Sequence, residues 1–508
     1  MIDMMLSRPR RSRTKTGCLC CRLRRKKCDE ERPACQNCQK RGLVCSWLGS
    51  KEFAWRLKMK EGSGRCSIIS SLPTQRALEW NMTPLSPNIM HSQASIPDAP
   101  LLLQFFIQET SPRLTCKGNC SQFHNPFQDE VPLLAESDRV VMYAVLALAG
   151  MHMGYYTQDK AREQASVRHY ILAMKELHPA IADWVAGSQG EAVRLLLITV
   201  LLVYYEVCPS YPRYILTESG LSTPRTDKPK ALSGNKSGAM AYHLRACRQF
   251  VFHITANNEL LPLEGGVIGL LLETYAYLEL CSCLRFSPLE EDIRTNLNSF
   301  VSQLDYLRQF KTFGVLFGST SALYETIPSI SFLSLLRQQE LREHQDLGSA
   351  ALYCDLDKLI TSWSNHAISC VNLESGLGGV FEVPAIMAVR NALLIFLETS
   401  FYYGSVSVVD FSKKVEPLVE ATLPLLQLLK GSPLFYTAYW PMVVLGANAR
   451  TVAQQTIISS LLQDHTMPMT SRMKETLSWI WDHPDKNVFG LPGLEFVVKE
   501  QRTALCIV

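Results

Sequence analysis

A cysteine spacing that occurs twice near the N-terminus is the strongest constraint on this chain. The pattern is C-x2-C-x6-C, and its two copies are formed by Cys18, Cys21, Cys28, Cys35, Cys38 and Cys45. A structural zinc ion takes four tetrahedral ligands, and thiolates suit it. Six thiolates fill either one site with two to spare or two sites that share two sulfurs. The duplicated spacing favours two zinc ions, and we expect metal binding to supply the folding free energy of this short segment.

A seventh cysteine, Cys20, leaves one alternative open. It lies beside Cys21 in the tetrapeptide CLCC. Ligation by Cys20 would shorten the first pair to C-x-C and lengthen the arm that follows it. Because that breaks the repeated spacing, we favour Cys21 as the ligand and interpret Cys20 as a neighbouring thiol that is sensitive to oxidation.

Charge is distributed very unevenly along the 508 residues. Residues 1–65 contain 18 Lys and Arg against 6 Asp and Glu, whereas the remaining 443 residues contain 33 against 41. A basic segment of this kind indicates a polyanion-binding surface or a nuclear address. The N-terminus has no apolar core of a secretory signal, and the longest apolar runs, 140–151 and 195–205, are too short to span a membrane. We therefore expect an intracellular protein with no membrane partner.

The composition divides the chain into four parts. We expect a disordered basic arm over 1–15, the cysteine-rich module over 16–47, a flexible linker over 48–100 and an all-α domain over 101–508. Within the last part, residues 209–238 are rich in Pro, Gly, Ser and Lys and are predicted to form a loop. The fold class is therefore mostly α. In SVRHYILAMKEL, residues 166–177, apolar side chains recur at helical spacing and predict a helix. The other predicted helices cover about 101–109, 137–153, 191–207, 239–256, 264–284, 289–310, 331–345, 350–374, 383–402, 414–429, 437–464 and 469–481.

The module carries a specific family resemblance. The segment GCLCCRLRRKKCDEERPACQNCQKRGLVCSW resembles the DNA-binding module of fungal binuclear zinc-cluster transcription factors. It agrees in all six ligand positions, in the basic run between the second and third cysteines, and in Pro33. The resemblance implies that Cys18 and Cys35 bridge the two zinc ions. The terminal thiolates would come from Cys21 and Cys28 in one site and from Cys38 and Cys45 in the other.

Double-stranded DNA is the partner that the resemblance implies. The short helix expected after the second cysteine carries Arg22, Arg24, Arg25, Lys26 and Lys27. In the major groove, Arg or Lys donates to guanine O6 and N7, and the family tends to read CGG-type triplets. By resemblance Arg25 is the best candidate base reader, with Arg24 beside it. Phosphate contacts, which set register without reading sequence, are assigned to Arg22, Lys27, Lys40 and Arg41.

The large C-terminal part resembles a second region of the same family. Stretches such as NPFQDEVPLLAESDRVVMYAVLALAGMHM and EAVRLLLITVLLVYYEV are similar to the fungal-specific transcription factor domain, an all-α regulatory region. The family implies a nuclear regulator of RNA polymerase II genes, sometimes those of secondary metabolism, with co-regulators as partners. No heptad is sustained after Cys45, so monomeric binding and homodimerisation through the helical region both stay open.

Other functions are less well supported by the sequence. No catalytic motif or phosphate-binding Gly loop is present, so we expect no enzyme. The alternative is an interaction scaffold whose zinc module binds protein or RNA without duplex sequence specificity. His152, His169 and His243 are interpreted as structural residues on helices, and the aromatic run over 435–440 as core.

Overall fold

The chain divides into two units, 1–79 with 290–299, and 80–289 with 300–508. The computed structural model of the chain describes residues 27–31, 35–40, 98–115, 125–187, 191–207, 216–217, 220–221, 239–256, 266–282, 306–371, 377–402, 408–463, 468–485, 488–490, 492–494 and 496. The first unit contributes only 27–31 and 35–40 to the described residues. Everything else that is described belongs to the second unit.

Almost all regular structure in the described residues is helical, which confirms the mostly α class. The first unit contains α1 (Gln36–Gln39). The second unit contains α2 (Ala99–Phe105), α3 (Pro126–Asp129), α4 (Val131–Ser137), α5 (Arg139–Thr157), α6 (Lys160–Val185), α7 (Ala192–Val207), α8 (Ala239–Ala256), α9 (Gly266–Ser282), α10 (Ser321–Tyr324), α11 (Ile327–Glu343), α12 (Ser349–Cys370), α13 (Leu377–Tyr402), α14 (Val408–Leu429), α15 (Tyr439–Asn448), α16 (Val452–Leu461) and α17 (Pro468–Trp481).

Short irregular elements accompany the helices. A π-helical turn (Phe106–Thr110) and a 3-10 turn (Ser111–Leu114) continue α2, and further 3-10 turns precede α10 (Gly318–Thr320) and α15 (Pro433–Ala438). Strands β1 (Leu216–Thr217) and β2 (Gly220–Leu221) pair antiparallel, with Leu216 opposite Leu221. They lie inside the stretch that the sequence predicts as a loop, and the rest of that stretch lies outside the described residues.

Polar residues in front of the helices explain where several of them begin. The Asp138 side chain accepts hydrogen bonds from the N–H groups of Val140 and Val141 at the start of α5. At the start of α6, the Asp159 side chain accepts hydrogen bonds from the N–H groups of Ala161 and Arg162. These bonds satisfy backbone donors that have no partner inside the helix.

One predicted helix is divided into two in the structure. The sequence pattern predicts a single helix over 437–464, but the structure has α15 and α16 with a break between them. The break arises because Thr451 caps α16: its side chain accepts from Gln454 N–H, and the Gln454 side chain accepts from the backbone of Thr451. This capping box favours a new helix start over continuation.

Helices α5 and α13 are the centres of packing in the second unit. α5 packs against α6 and α7, and α13 packs against α12 and α14. By length and composition alone, Arg139–Thr157 and Val380–Tyr402 also pass as membrane spans, although 72% and 61% of their apolar windows are buried in the fold. The lengths of uninterrupted apolar runs therefore underestimate how apolar these two segments are. Their burial among neighbouring helices accounts for their composition without a membrane.

A fully buried carboxylate in α9 holds an irregular segment onto the helical core. Glu273 is completely inaccessible, and both of its carboxylate oxygens accept hydrogen bonds from Gly314 N–H, at 3.1 and 3.0 Å. Val315 donates to Oε2 at 3.3 Å, while Leu316 and Phe317 donate to Oε1 at 2.8 and 3.1 Å. Four consecutive backbone donors, none of them in a regular helix, thus converge on one side chain.

The neighbouring turns of α9 fit the same segment. A Cβ on Gly269 would lie 2.8 Å from the Cβ of Phe310, so the absence of a side chain allows this close approach. One turn beyond Glu273, the Tyr277 ring packs edge-on against Phe317 with centroids 5.5 Å apart. Residues 269, 273 and 277 therefore form one face of α9 that receives residues 310–317.

We expect Glu273→Gln to destabilise the second unit by about 2 kcal/mol, because the amide group faces backbone donors and leaves some of them unpaired. The measurement is urea unfolding, monitored by the far-ultraviolet circular dichroism of the helices. Thr274→Val is the matched control, since Thr274 is equally buried and its hydroxyl has no hydrogen-bond partner among the described residues. Equal stability of the two variants would contradict the role assigned to Glu273.

The stability difference between wild type and Glu273→Gln is expected to depend on pH. Burial raises the pKa of Glu273 from 4.5 to about 7, against the opposing effect of the four N–H donors. A folded-state pKa above the unfolded value means that the native state retains the proton longer. The stabilisation linked to protonation is then fully present below pH 4.5 and is lost as the pH rises to about 7.

Unfolding measured between pH 5 and 8 tests this, since contributions from other groups cancel in the difference between the two proteins. The advantage of the wild type should shrink up to about pH 7 and then stay constant. An advantage that stays constant over this whole range would show instead that the pKa of Glu273 is not raised above its unfolded value.

Candidate metal centre

Two of the six predicted ligands lie together in the described part of the first unit. Cys28 and Cys35 are 6% and 0% exposed. Their Sγ atoms and a carboxylate oxygen of Asp29 all lie within 4.8 Å of one another. Two thiolates bound to one tetrahedral zinc ion at about 2.3 Å would be about 3.8 Å apart. The two thiols therefore lie close enough to share one ion.

The backbone around Cys28 also fits a bound thiolate. Glu30 N–H donates to Cys28 Sγ at 3.4 Å. A thiolate, the form that binds metal, can accept such a bond. Glu30 reaches this position with a φ of 65°, in the left-handed region that non-glycine residues seldom adopt. The chain thus turns sharply just after the third predicted ligand.

Asp29 joins the two cysteine repeats. Its Oδ1 accepts from Glu31 N–H and Gln36 N–H, each at 3.1 Å, and its Oδ2 accepts from Asn37 N–H at 3.3 Å. Desolvation raises the pKa of the Asp29 carboxyl, but these backbone donors lower it more, so the pKa lies below its ordinary value of 3.8. The carboxylate therefore stays charged and caps the first turn of α1. This helix begins directly after Cys35, the first cysteine of the second repeat.

Two side-chain amides complete the connection. Asn37 Nδ2 donates to the backbone oxygen of Lys27 at 2.6 Å, and Gln36 Nε2 donates to Glu31 Oε1 at 2.9 Å. Sequence reasoning missed both Asp29 and Asn37. The only signal was their position, one residue after the third cysteine and one residue before the fifth.

The structure describes only some of the predicted site residues. Lys27 and Lys40 are exposed, as phosphate contacts require. Cys38 lies in α1, but its side chain is outside the described part. The predicted residues that lie outside the described residues are Cys18, Cys20, Cys21, Cys45, Arg22, Arg24, Arg25, Lys26 and Arg41.

His152, His169 and His243 make contacts inside the second unit. His152 is 2% exposed and its Nδ1 lies 2.9 Å from the Thr110 hydroxyl. His243 Nε2 lies 3.0 Å from Glu206 Oε1. Burial lowers the pKa of His169, whose ring stacks on Tyr143. The contacts of His152 and His243 agree with the structural interpretation, whereas the buried Nδ1 of His169 has no hydrogen-bond partner among the described residues.

The aromatic run over 435–440 belongs to the core. Phe435, Tyr439 and Trp440 are buried there.

Within the described residues, Cys28, Asp29 and Cys35 form the one group of three or more side chains placed to bind a metal ion.

Comparison with known families decides what kind of protein this is. The fungal Zn(2)-Cys(6) binuclear cluster domain matches residues 16–52, and the fungal specific transcription factor domain matches residues 101–490. The chain belongs to the fungal zinc-cluster transcription factors. Zinc is accordingly the cofactor, with two ions in the cluster domain. The family also points to a regulator of transcription rather than an enzyme.

Similar proteins carry related names. The chain is 44% identical over 68 residues to the ustiloxin B cluster transcription factor ustR of Aspergillus flavus, covering 13% of this chain and 11% of that protein. It is 28% identical over 151 residues to the Zn(2)-C6 fungal-type transcription factor afumD of Aspergillus fumigatus, covering 29% and 35%. It is 43% identical over 60 residues to the pestheic acid cluster transcriptional regulator 3 of Pestalotiopsis fici, covering 12% and 10%.

These similarities are confined to parts of each protein. The chain spans about a tenth to a third of the length of these relatives. No solved structure matches the chain. The family assignment therefore depends on the two domain matches, and the site geometry is described from this chain alone.

We expect Cys35→Ala to reduce the zinc content of the full-length protein below two ions per chain, because Cys35 is fully buried and faces Cys28. Native mass spectrometry or elemental analysis gives the stoichiometry. Cys354→Ala is the matched control, since Cys354 is an exposed cysteine on α12 and its loss should leave the zinc content unchanged. A Cys35→Ala variant that retained two zinc ions would rule out Cys35 as a bridging ligand.

Proposed function

We propose that this chain is a nuclear, sequence-specific DNA-binding regulator of genes transcribed by RNA polymerase II. The observation that carries the proposal is the match of the binuclear cluster domain over a segment in which the Cys28 and Cys35 thiols converge. Exposed lysines at residues 27 and 40 flank this pair in sequence, and the surrounding 65 residues are strongly basic. A basic surface on a rigid zinc core favours a polyanion such as duplex DNA.

The proposed zinc sites use the six cysteines of the repeat. Cys18 and Cys35 bridge the two ions, and each ion completes its four ligands with two terminal thiolates. The terminal pairs are Cys21 with Cys28 and Cys38 with Cys45. Two Zn²⁺ ions and six thiolates carry a net charge of −2, which nearby Arg and Lys side chains offset.

The proposed DNA contacts separate base reading from positioning. Arg25, with Arg24 beside it, donates to guanines of a CGG-type triplet in the major groove. Lys26 lies in the same basic run. Contacts to phosphate oxygens, which hold the module in register, come from Arg22, Lys27, Lys40 and Arg41.

The second unit supplies regulation in this proposal. We assign 1–15 to a basic arm, 16–47 to the DNA-binding module, 48–100 to a linker and 101–508 to a helical domain that contacts co-regulators or a second copy of the chain. The names of two relatives refer to the ustiloxin B and pestheic acid clusters. By analogy, we propose that the genes controlled by this chain belong to secondary metabolism.

Selection of binding sites from random duplex DNA tests the function directly. The zinc-loaded full-length protein is used at a fixed, near-physiological salt concentration, because phosphate contacts make affinity strongly salt-dependent. Enrichment of a CGG-type triplet is the expected result, and one triplet or two at fixed spacing distinguishes a monomer from a dimer. No enrichment by a folded protein with two zinc ions would favour the interaction scaffold.

Two substitutions separate the proposed base reader from a phosphate contact. Arg25→Ala is expected to cost about 1–3 kcal/mol on the selected site and to relax preference at one base position. Lys40→Ala should weaken binding to all sequences alike and reduce the salt dependence. Fluorescence anisotropy on the selected and scrambled duplexes measures both effects. The base-reader assignment fails if the two variants lose affinity in the same pattern.

A further inference from the structure

The backbone oxygen of Lys27 is held by a side chain from the other cysteine repeat. Asn37 Nδ2 donates to it at 2.6 Å across ten residues of sequence. A carbonyl oxygen only accepts hydrogen bonds, so the amide nitrogen of Asn37 must face it. Lys27 is the last residue of the basic run RLRRKK, which contains the proposed base readers.

The connection between the two repeats is reciprocal. Asp29 Oδ2 accepts from Asn37 N–H at 3.3 Å, while the Asn37 side chain donates to Lys27. Residues 27 and 29 are thus tied to residue 37 on either side of Cys28. A zinc–thiolate bond at Cys28 fixes the position of one sulfur but leaves rotation about its single bonds. The second attachment, at the Lys27 carbonyl, fixes the backbone at the residue where the basic run ends.

We propose that Asn37 is a positioning residue for DNA recognition, which orients the basic run by holding the Lys27 carbonyl against α1. This inference rests on the proposed function. A bidentate contact to guanine requires placement within about 0.5 Å and 10–20°, whereas phosphate contacts tolerate movement of a long side chain. Loss of the Asn37 bond should therefore weaken base discrimination more than general attraction to DNA.

Asn37→Ala in the zinc-loaded full-length protein is the test. We expect affinity for the selected duplex to fall about threefold to fivefold, as for the loss of one hydrogen bond, and affinity for a scrambled duplex to fall less than about twofold. The zinc content should stay at two ions per chain, and the salt dependence should not change because the phosphate contacts are retained.

Gln36→Ala is the matched control. It removes a neighbouring amide on the same helix, whose bond to Glu31 does not touch the basic run. We expect its ratio of selected to scrambled affinity to equal that of the wild type. Asn37→Gln keeps the donor but displaces it by one methylene, and it should lie between the wild type and Asn37→Ala.

The outcomes are distinguishable. The positioning role is overturned if Asn37→Ala leaves the ratio of selected to scrambled affinity unchanged, or if the variant loses zinc. In either case, discrimination by the wild type still supports the proposed function. A wild-type protein that does not distinguish the two duplexes would overturn both proposals.

Discussion

Carboxylates that accept consecutive backbone N–H groups hold this chain together where the burial of apolar helix faces does not suffice. In the first unit Asp29 ties α1 to the loop around Cys28. In the second, Glu273 fixes residues 314–317 to α9, and Asp138 starts the central helix α5. Each bond pairs donors that no regular helix satisfies. The irregular segments therefore have defined positions, and the zinc ligands and core helices depend on those positions.

The features predicted correctly from sequence are those encoded by spacing. The repeated cysteine pattern predicts the zinc cluster. Apolar periodicity predicts helices such as α7 and α8, including the residues at which they end, Val207 and Ala256. Asp29, Asn37 and Glu273 could not be recognised, because their partners are set by the path of the backbone rather than by any pattern. For Glu273 these partners lie 41 to 44 residues away.

The two units obtain their stability from different sources. The second unit buries a large apolar core, in which the Trp440 ring contacts Phe396 edge to face and Tyr324 in a tilted arrangement. The described part of the first unit contains only two buried side chains, both of them cysteines. Metal binding by such cysteines supplies folding free energy. Removal of zinc is thus expected to affect the first unit far more than the second.

The composition of α5 and α13 has a consequence for the supply of the protein. Both segments are apolar enough to enter a lipid bilayer and are protected only by their neighbours. When these helices leave the core, their apolar surfaces are exposed to solvent. The chain then aggregates or is bound by chaperones. Substitutions that destabilise the second unit would then lower cellular abundance, because the unfolded fraction is continuously removed. Loss of regulation by such variants would reflect too few molecules rather than a weakening of the proposed DNA contacts.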